Sequence, residues 1–272
     1  MSDDRQRALD DYDQMADVYA DDADVDPMKA SYDRPTVLAM AGDVRGRRVL
    51  DVGCASGGLS ALLVERGASV VGVDLNPRLV ERARERLGGR AEFHVADVSA
   101  PMPFLESGSF DVVTASLVLH YLADWGPALG EFARALRPGG LLLVSTHHPT
   151  QDVAIADPPA PYFETVLLTD TWRKGGREFQ VRFYHRPLSA IVDALADAGF
   201  LIERIPEPPP NRQAFAAKPA LYERMSRAPW FLFVRAVRMG PALGDRGERP
   251  APERAAPSSS PNEPHVDSPA CR

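Results

Sequence analysis

The stretch RVLDVGCASGG, residues 48–58, constrains this chain more than any other. Val49, Leu50 and Val52 surround Asp51, and the run then breaks into a loop of small residues. A short apolar run ended by glycines reads as a strand of a parallel sheet, buried on both faces. Gly53 and Gly57 allow a tight turn and leave backbone that a ligand can approach without meeting a Cβ. Residues 58–67 follow as a helix with Leu59, Leu62 and Leu63 on one face. Strand, small-residue loop and helix together make a nucleotide-type pocket, because free amides at a helix N-terminus point into the loop.

The pattern then repeats. Residues 69–74 (SVVGVD) form a second apolar run ending in an acid, and Asn76-Pro77 opens a helix over 78–87, since proline suits the first helical position. Leu79, Val80, Ala83 and Leu87 face inward from it. Strands are predicted at 91–96, 110–116 and 141–146, with a helix at 125–136 stopped by Pro138-Gly139-Gly140. Alternating strands and helices imply an α/β fold with a doubly wound, mostly parallel sheet. Such sheets bind ligands beyond the C-terminal ends of their strands. Asp51, Asp74, Asp97, Ser116 and His147 all lie at or near those ends.

Beyond residue 148 the rhythm changes. Residues 149–161 read as a proline-containing loop, and two β-like runs, 162–171 and 178–185, flank Gly175-Gly176 as a hairpin. A helix over 187–198, closed by Gly199, and strands at 200–205 and 230–237 complete the domain, the last of them antiparallel. Upstream, Tyr12, Met15 and Tyr19 fall on one helical face, and 35–41 forms a second helix. The expected organisation is an N-terminal helical cover (1–45), a sheet domain (46–240) with an insertion at about 149–186, and a tail (241–272). The tail is rich in Pro, Ser, Arg and Glu and poor in large apolar residues, which predicts disorder.

Composition excludes several classes. The net charge of −7 argues against a nucleic-acid partner, and Arg224, Arg227, Arg235 and Arg238 read as a solvated face. With two cysteines, Cys54 and Cys271, a disulfide framework is not expected. The acidic N-terminus has no apolar centre of the secretory kind, and every apolar stretch is interrupted before it reaches bilayer length. These features predict a cytoplasmic protein with no membrane partner, a monomer or a homodimer.

Asp74 lies about 20 residues past the glycine loop, where a carboxylate at the end of the second strand accepts hydrogen bonds from ribose hydroxyls. Gly53, Ala55 and Gly58 fall loosely at the glycine positions of a dinucleotide loop. A nicotinamide reductase is disfavoured, because none of the lysines Lys29, Lys174 and Lys218 has a tyrosine four residues before it. The stretches VLDVGCASG, VVGVDLNP, FHVADVSAPMPF, FDVVTASLVLHYL and LRPGGLLLVS, in this order, resemble the class I S-adenosylmethionine-dependent methyltransferases from about residue 12 to 238. Ala55 stands where that family has its middle glycine.

The resemblance implies a seven-stranded Rossmann-like sheet with a β-hairpin insertion before the last helix, and S-adenosylmethionine as cofactor. It implies cofactor contacts from Tyr12, Tyr19, Asp51, Gly53, Ala55, Gly57, Asp74, Leu75, Asp97, Val98 and Ser116. The His-Pro pair after strand five and the TW…GG…FYHRPLS segment resemble the subgroup related to ubiquinone and menaquinone biosynthesis, whose insertion covers the acceptor. It points to His148 and His185 as catalytic candidates, and to His120, His147, Asp170 and Arg186 as substrate contacts. No Cys/His spacing suggests a metal site. His94 reads as a packing residue, and Asp157-Pro158-Pro159 lies outside the fourth-strand position that nucleic-acid amino-methyltransferases use. The expected activity is O-methylation of a phenol, enol or pyrone hydroxyl on a small molecule of secondary metabolism. Nitrogen or carbon methylation and non-catalytic cofactor binding stay open.

Overall fold

The computed structural model describes residues 3–13, 16, 24–156 and 159–240. Tyr19 and the tail expected to be disordered lie outside them. The β-strands are β1 Arg48–Val52, β2 Ser69–Asp74, β3 Glu92–Val95, β4 Phe110–Ser116, β5 Leu136–His147, β6 Val166–Lys174, β7 Arg177–His185, β8 Phe200–Arg204 and β9 Phe231–Arg238. Seven of them form one sheet in the order β3-β2-β1-β4-β5-β9-β8. β1 to β5 run parallel, and β9 is antiparallel to both of its neighbours. β6 and β7 make the separate hairpin, turning at Gly175-Gly176. Both glycines have positive φ (55° and 74°), the backbone that two-residue hairpin turns require.

Period-2 alternation divides the apolar residues between two faces. Leu50, Val52, Val113, Leu142 and Val144 point to one side, where Leu129, Phe132 and Leu195 cover them. Val49, Val70, Val112, Leu141 and Leu143 point to the other, against Val37, Leu38, Leu59 and Leu63. The covering helices include α2 Arg34–Ala41, α3 Gly58–Glu65, α4 Pro77–Leu87, α5 Gly126–Ala135 and α7 Leu188–Asp197. Asn76 caps α4 by accepting from the amides of Arg78 (2.9 Å) and Leu79 (3.2 Å).

Three helical segments were not legible in the sequence pattern. A π-helical turn, Met28–Asp33, leads straight into α2. The stretch expected as a proline-containing loop begins with a helix, α6 Pro149–Ile155. Its proline occupies the first helical turn, where no backbone donor is lost, and His148 is the cap. α8 Pro219–Met225 starts in the same way.

The N-terminal helix, α1 Asp3–Asp13, is tied down by polar contacts. Asp11, only 5% exposed, accepts from the Arg182 backbone amide (3.1 Å), Nε (3.2 Å) and Nη2 (2.7 Å). Asp13 accepts from the Asn76 side chain at 2.7 Å, and the Tyr12 and Tyr121 hydroxyls pair at 2.7 Å. Among the described residues no helix is long and apolar enough to cross a membrane.

Gly57 sits at the N-cap of α3 in the left-handed region, φ 76°. A Cβ there would lie 3.0 Å from Leu87 Cδ1 and 3.2 Å from Ala83 Cβ. Gly57 is therefore where α3 packs on α4. Gly57→Ala should lower unfolding stability by about 1–2 kcal/mol, read as a drop in the urea midpoint with an unchanged slope.

Candidate active site

Sheet order reverses between β2 and β4, which flank β1, so the chains leaving β1 and β4 diverge and open a cleft. Gly53 (φ 67°) makes that cleft possible: a Cβ on it would stand 2.8 Å from Val118 Cβ. Of the residues expected at the cofactor, Tyr12, Gly53, Ala55, Asp74, Leu75, Asp97, Val98 and Ser116 line one cavity in the cleft. Asp51 lines an adjoining cavity that shares Gly53, Ala55 and Ser116 with the first. Gly57 lines neither, which corrects the expectation for it: its small size serves helix packing.

Asp74 organises the loop. Its Oδ2 accepts from the Ala55 amide (2.9 Å) and its Oδ1 from the Asn76 amide (2.9 Å). The first of these holds Ala55 at φ 47°, a conformation costly for any residue with a Cβ. Asp97 accepts from the Ser99 amide and hydroxyl, at 2.9 and 2.6 Å.

The adjoining cavity adds residues with no motif to announce them: Lys29, Asp33 and Arg34, from the π-helical turn and the start of α2. Asp33 Oδ2 accepts from Ser116 Oγ at 2.6 Å, while its Oδ1 is buried with no hydrogen-bond partner among the described residues. The Arg34 guanidinium lies where a Cβ on Gly58 would be, 2.2 Å from its Nη2, so glycine at 58 gives it room. Arg34 also pairs with Asp24 at 2.8 Å.

Burial dominates the electrostatics. It pushes the Asp51 carboxyl up to about 6, against hydrogen bonds from Ser60 (2.5 Å) and Thr114 (2.8 Å) and the charge of Arg34. Burial likewise raises Asp33 and Asp74 above the usual carboxylate range.

A third cavity, of roughly 400 Å³, shares Tyr12, Leu117 and Tyr121 with the first. His120, His147, Gln151, Asp152, Asp170, Trp172 and Phe231 line it. His147 is stacked on His120 (4.2 Å, 17°) and meets the edge of Phe183 (4.4 Å, 80°). Its Nδ1 faces Asp152 Oδ1 at 3.3 Å. His120 is held neutral, its pKa well below the usual imidazole value through burial and the neighbouring His147 and Arg186. Asp170 accepts from the Thr171 amide (2.8 Å) and Trp172 Nε1 (3.1 Å).

His148, His185 and Arg186, expected at the acceptor, do not line this cavity. His148 instead caps α6, its Nδ1 2.7 Å from Thr150 Oγ1 and its Nε2 3.6 Å from Glu207. Its side chain points away because strand alternation turns His147 inward. His185 is wholly buried behind Asp152, 3.6 Å away. Arg186 is a structural clamp: it lies over the Trp125 ring at 4.7 Å and donates to the carbonyls of Leu122 and Ala123. Burial draws its pKa down to about 10. Residues that sequence reasoning missed are Asp152, which sat in the expected loop, and the Lys29–Asp33–Arg34 group.

Comparison with known proteins places the chain in a family. A family model described as a methyltransferase domain matches residues 50–144. A demethylmenaquinone methyltransferase of Thermus thermophilus is 31% identical over 210 residues, spanning 75% of this chain and 83% of that protein. A ubiquinone biosynthesis O-methyltransferase of Xanthomonas oryzae pv. oryzae is 37% identical over 135 residues, 47% of this chain and 55% of that one. The crystal structure of an S-adenosylmethionine-dependent methyltransferase from Mesorhizobium loti superposes with a TM-score of 0.64 at 32% identity, over 75% of this chain and 96% of that one. The chain belongs to the class I S-adenosylmethionine-dependent methyltransferases, with S-adenosylmethionine as cofactor. Within that class its relatives include methyltransferases of ubiquinone and menaquinone biosynthesis.

Two outcomes follow for the cofactor. A cationic ligand beside Asp51 favours its charged form, so binding should release protons and tighten as pH rises through about 6. Calorimetry with S-adenosylmethionine at pH 5 and 7.5, in buffers of different ionisation enthalpy, reads both the affinity change and the protons released. Asp74→Ala should weaken S-adenosylhomocysteine by about 1–3 kcal/mol through lost charge-assisted hydrogen bonds, measured in the same instrument.

Proposed function

We propose that the enzyme O-methylates an acidic hydroxyl (phenol, enol or pyrone type) of a small molecule, with His147 as the proton acceptor. The carrying observation is His147 itself. It is braced between His120 and Phe183, backed by the buried Asp152, and placed in a cavity that opens on the cofactor cleft beside Tyr12 and Tyr121. The relatives named for ubiquinone and menaquinone biosynthesis support a small aromatic acceptor.

The cleft fits the cofactor's chemistry. The unpartnered Asp33 Oδ1 and the raised Asp51 suit its ammonium group, and Arg34 and Lys29 suit its carboxylate. Asp74 would take the ribose hydroxyls and Asp97, with the Val98 amide, the adenine. S-adenosylmethionine, when bound, supplies a methyl group on a sulfonium that departs with its bonding pair as a neutral thioether. The protein's part is alignment and one proton. The acceptor oxygen forms its bond to the methyl carbon as His147 Nε2 takes the hydroxyl proton, with Asp152, 3.3 Å from Nδ1, orienting the ring. α1 and the β6–β7 hairpin, joined by the Asp11–Arg182 pair, would exclude water over the two cavities.

Incubation with a panel of quinols, catechols, enols and pyrones should yield S-adenosylhomocysteine and a product whose new methyl resonates as a methoxyl carbon. A methyl on carbon or nitrogen throughout the panel would overturn the O-methylation reading. His147→Ala should lower kcat by about 10²- to 10³-fold and leave S-adenosylhomocysteine affinity nearly unchanged.

A further inference from the structure

Behind His147 lies an arrangement that the methyl transfer alone does not explain. Asp152, on α6, is flanked by two imidazoles: Oδ1 is 3.3 Å from His147 Nδ1 and Oδ2 is 3.6 Å from His185 Nδ1. Its side chain is 3% exposed and that of His185 is 0% exposed. These are ion-pair distances and do not meet the alignment of hydrogen bonds; neither Asp152 Oδ1 nor His185 Nδ1 has a hydrogen-bond partner among the described residues.

The far side of the His185 ring fixes where its protons are. Nε2 lies 3.0 Å from the Tyr162 carbonyl oxygen. A carbonyl oxygen only accepts, so Nε2 carries a proton. A neutral ring would then aim the lone pair of Nδ1 at a buried carboxylate, which is repulsive on both sides. A second proton on Nδ1 converts that repulsion into an ion pair.

From this geometry we propose that His185 is a positioning residue, a resident imidazolium that neutralises Asp152 and so leaves His147 as a neutral Nδ1–H ring with Nε2 free for the acceptor. The inference rests on the reading of His147 as the proton acceptor. Without His185, Asp152 would present an unbalanced charge to His147 and favour its charged form, and a protonated ring takes no proton from a substrate. Few other charges surround the pair. His185 meets Asp152 from α6, Arg186 from its own chain end, and the Tyr162 ring at 5.8 Å from the segment before β6. His147 meets Asp152, the neutral His120, and a cavity that also holds Asp26, Lys29, Asp170, Arg173 and Lys218. Burial opposes the charge on His185, yet Asp152 and the Tyr162 carbonyl outweigh it, so its pKa stands above the usual imidazole value. Asp152 is held below the ordinary carboxylate range, because the two imidazoles outweigh its burial.

The test reads protons directly, without an acceptor. Long-range ¹H–¹⁵N spectra of the ¹⁵N-histidine-labelled full chain with S-adenosylhomocysteine should show His185 doubly protonated at pH 7 and His147 as the Nδ1–H tautomer. His185→Gln removes a positive charge from Asp152, so the His147 titration midpoint should rise by about one pH unit. Asp152→Asn removes the negative charge, so the midpoint should fall. A neutral His185 in the wild-type spectrum, an Nε2–H His147, or midpoints that do not move in these opposite directions overturns the proposal, and the first two need no variant to fold. An acceptor panel that gives only carbon or nitrogen methylation while the spectra match would instead defeat the O-methylation reading and leave the proton array standing.

Discussion

The structure depends on one close approach, that of Gly53 to Val118 where the chains leaving β1 and β4 part. Parallel strands need crossover helices, and when successive crossovers go to opposite sides of a central strand the loops must separate. The separation leaves a cleft whose floor is backbone. A side chain at 53 would fill the floor with its own Cβ and push away the segment that carries Leu119, His120 and Tyr121. That segment supplies part of the wall shared by the cleft and the cavity proposed for the acceptor. The two sites are thus coupled by geometry before any ligand arrives.

Charge completes what shape begins. Asp33, Asp51 and Asp74 are each held above the usual carboxylate range because burial costs their ionised forms more than neighbouring hydrogen bonds return. Buried acids of this kind destabilise a protein that keeps them ionised without a partner. A ligand bearing both a sulfonium and an ammonium relieves that cost, whereas a neutral nucleoside does not. On the cofactor placement proposed above, the same carboxylates would favour the cationic cofactor over its neutral-sulfur product.

How much of this was legible in the sequence differs by the range of the interaction concerned. The strands and their terminal acids were legible because apolar runs and their endings are local, and Asp74 and Asp97 sit where those endings put them. Gly57 looked like a loop glycine, since its partners Ala83 and Leu87 are a helix away and no local pattern reveals them. The choice between His147 and His148 was in fact encoded as parity: Leu141, Leu143, Ser145 and His147 share one face of β5, and His147 pairs with Phe231 at its end. Asp152 was hidden because prolines at 149 and 158–159 read as loop signals, although the first of them starts α6. Lys29, Asp33 and Arg34 form no motif at all; only the π-helical turn brings them to the cleft.

The hairpin explains why the cover and the acceptor site belong together. Along β7, Phe179, Val181, Phe183 and His185 are buried, while Arg182 and Tyr184 turn to the other side. The first set packs toward Leu79, Tyr12 and His147 and ends on the Asp152 side chain. The second reaches α1 through Asp11 and Arg7. One strand therefore backs the cavity residues His147 and Asp152 on one face and fastens α1 on the other. A displacement of α1 large enough to break the Asp11–Arg182 pair loads the strand that fixes His185, so the seating of α1 and the arrangement of His185 against Asp152 are mechanically linked through the nine residues of β7.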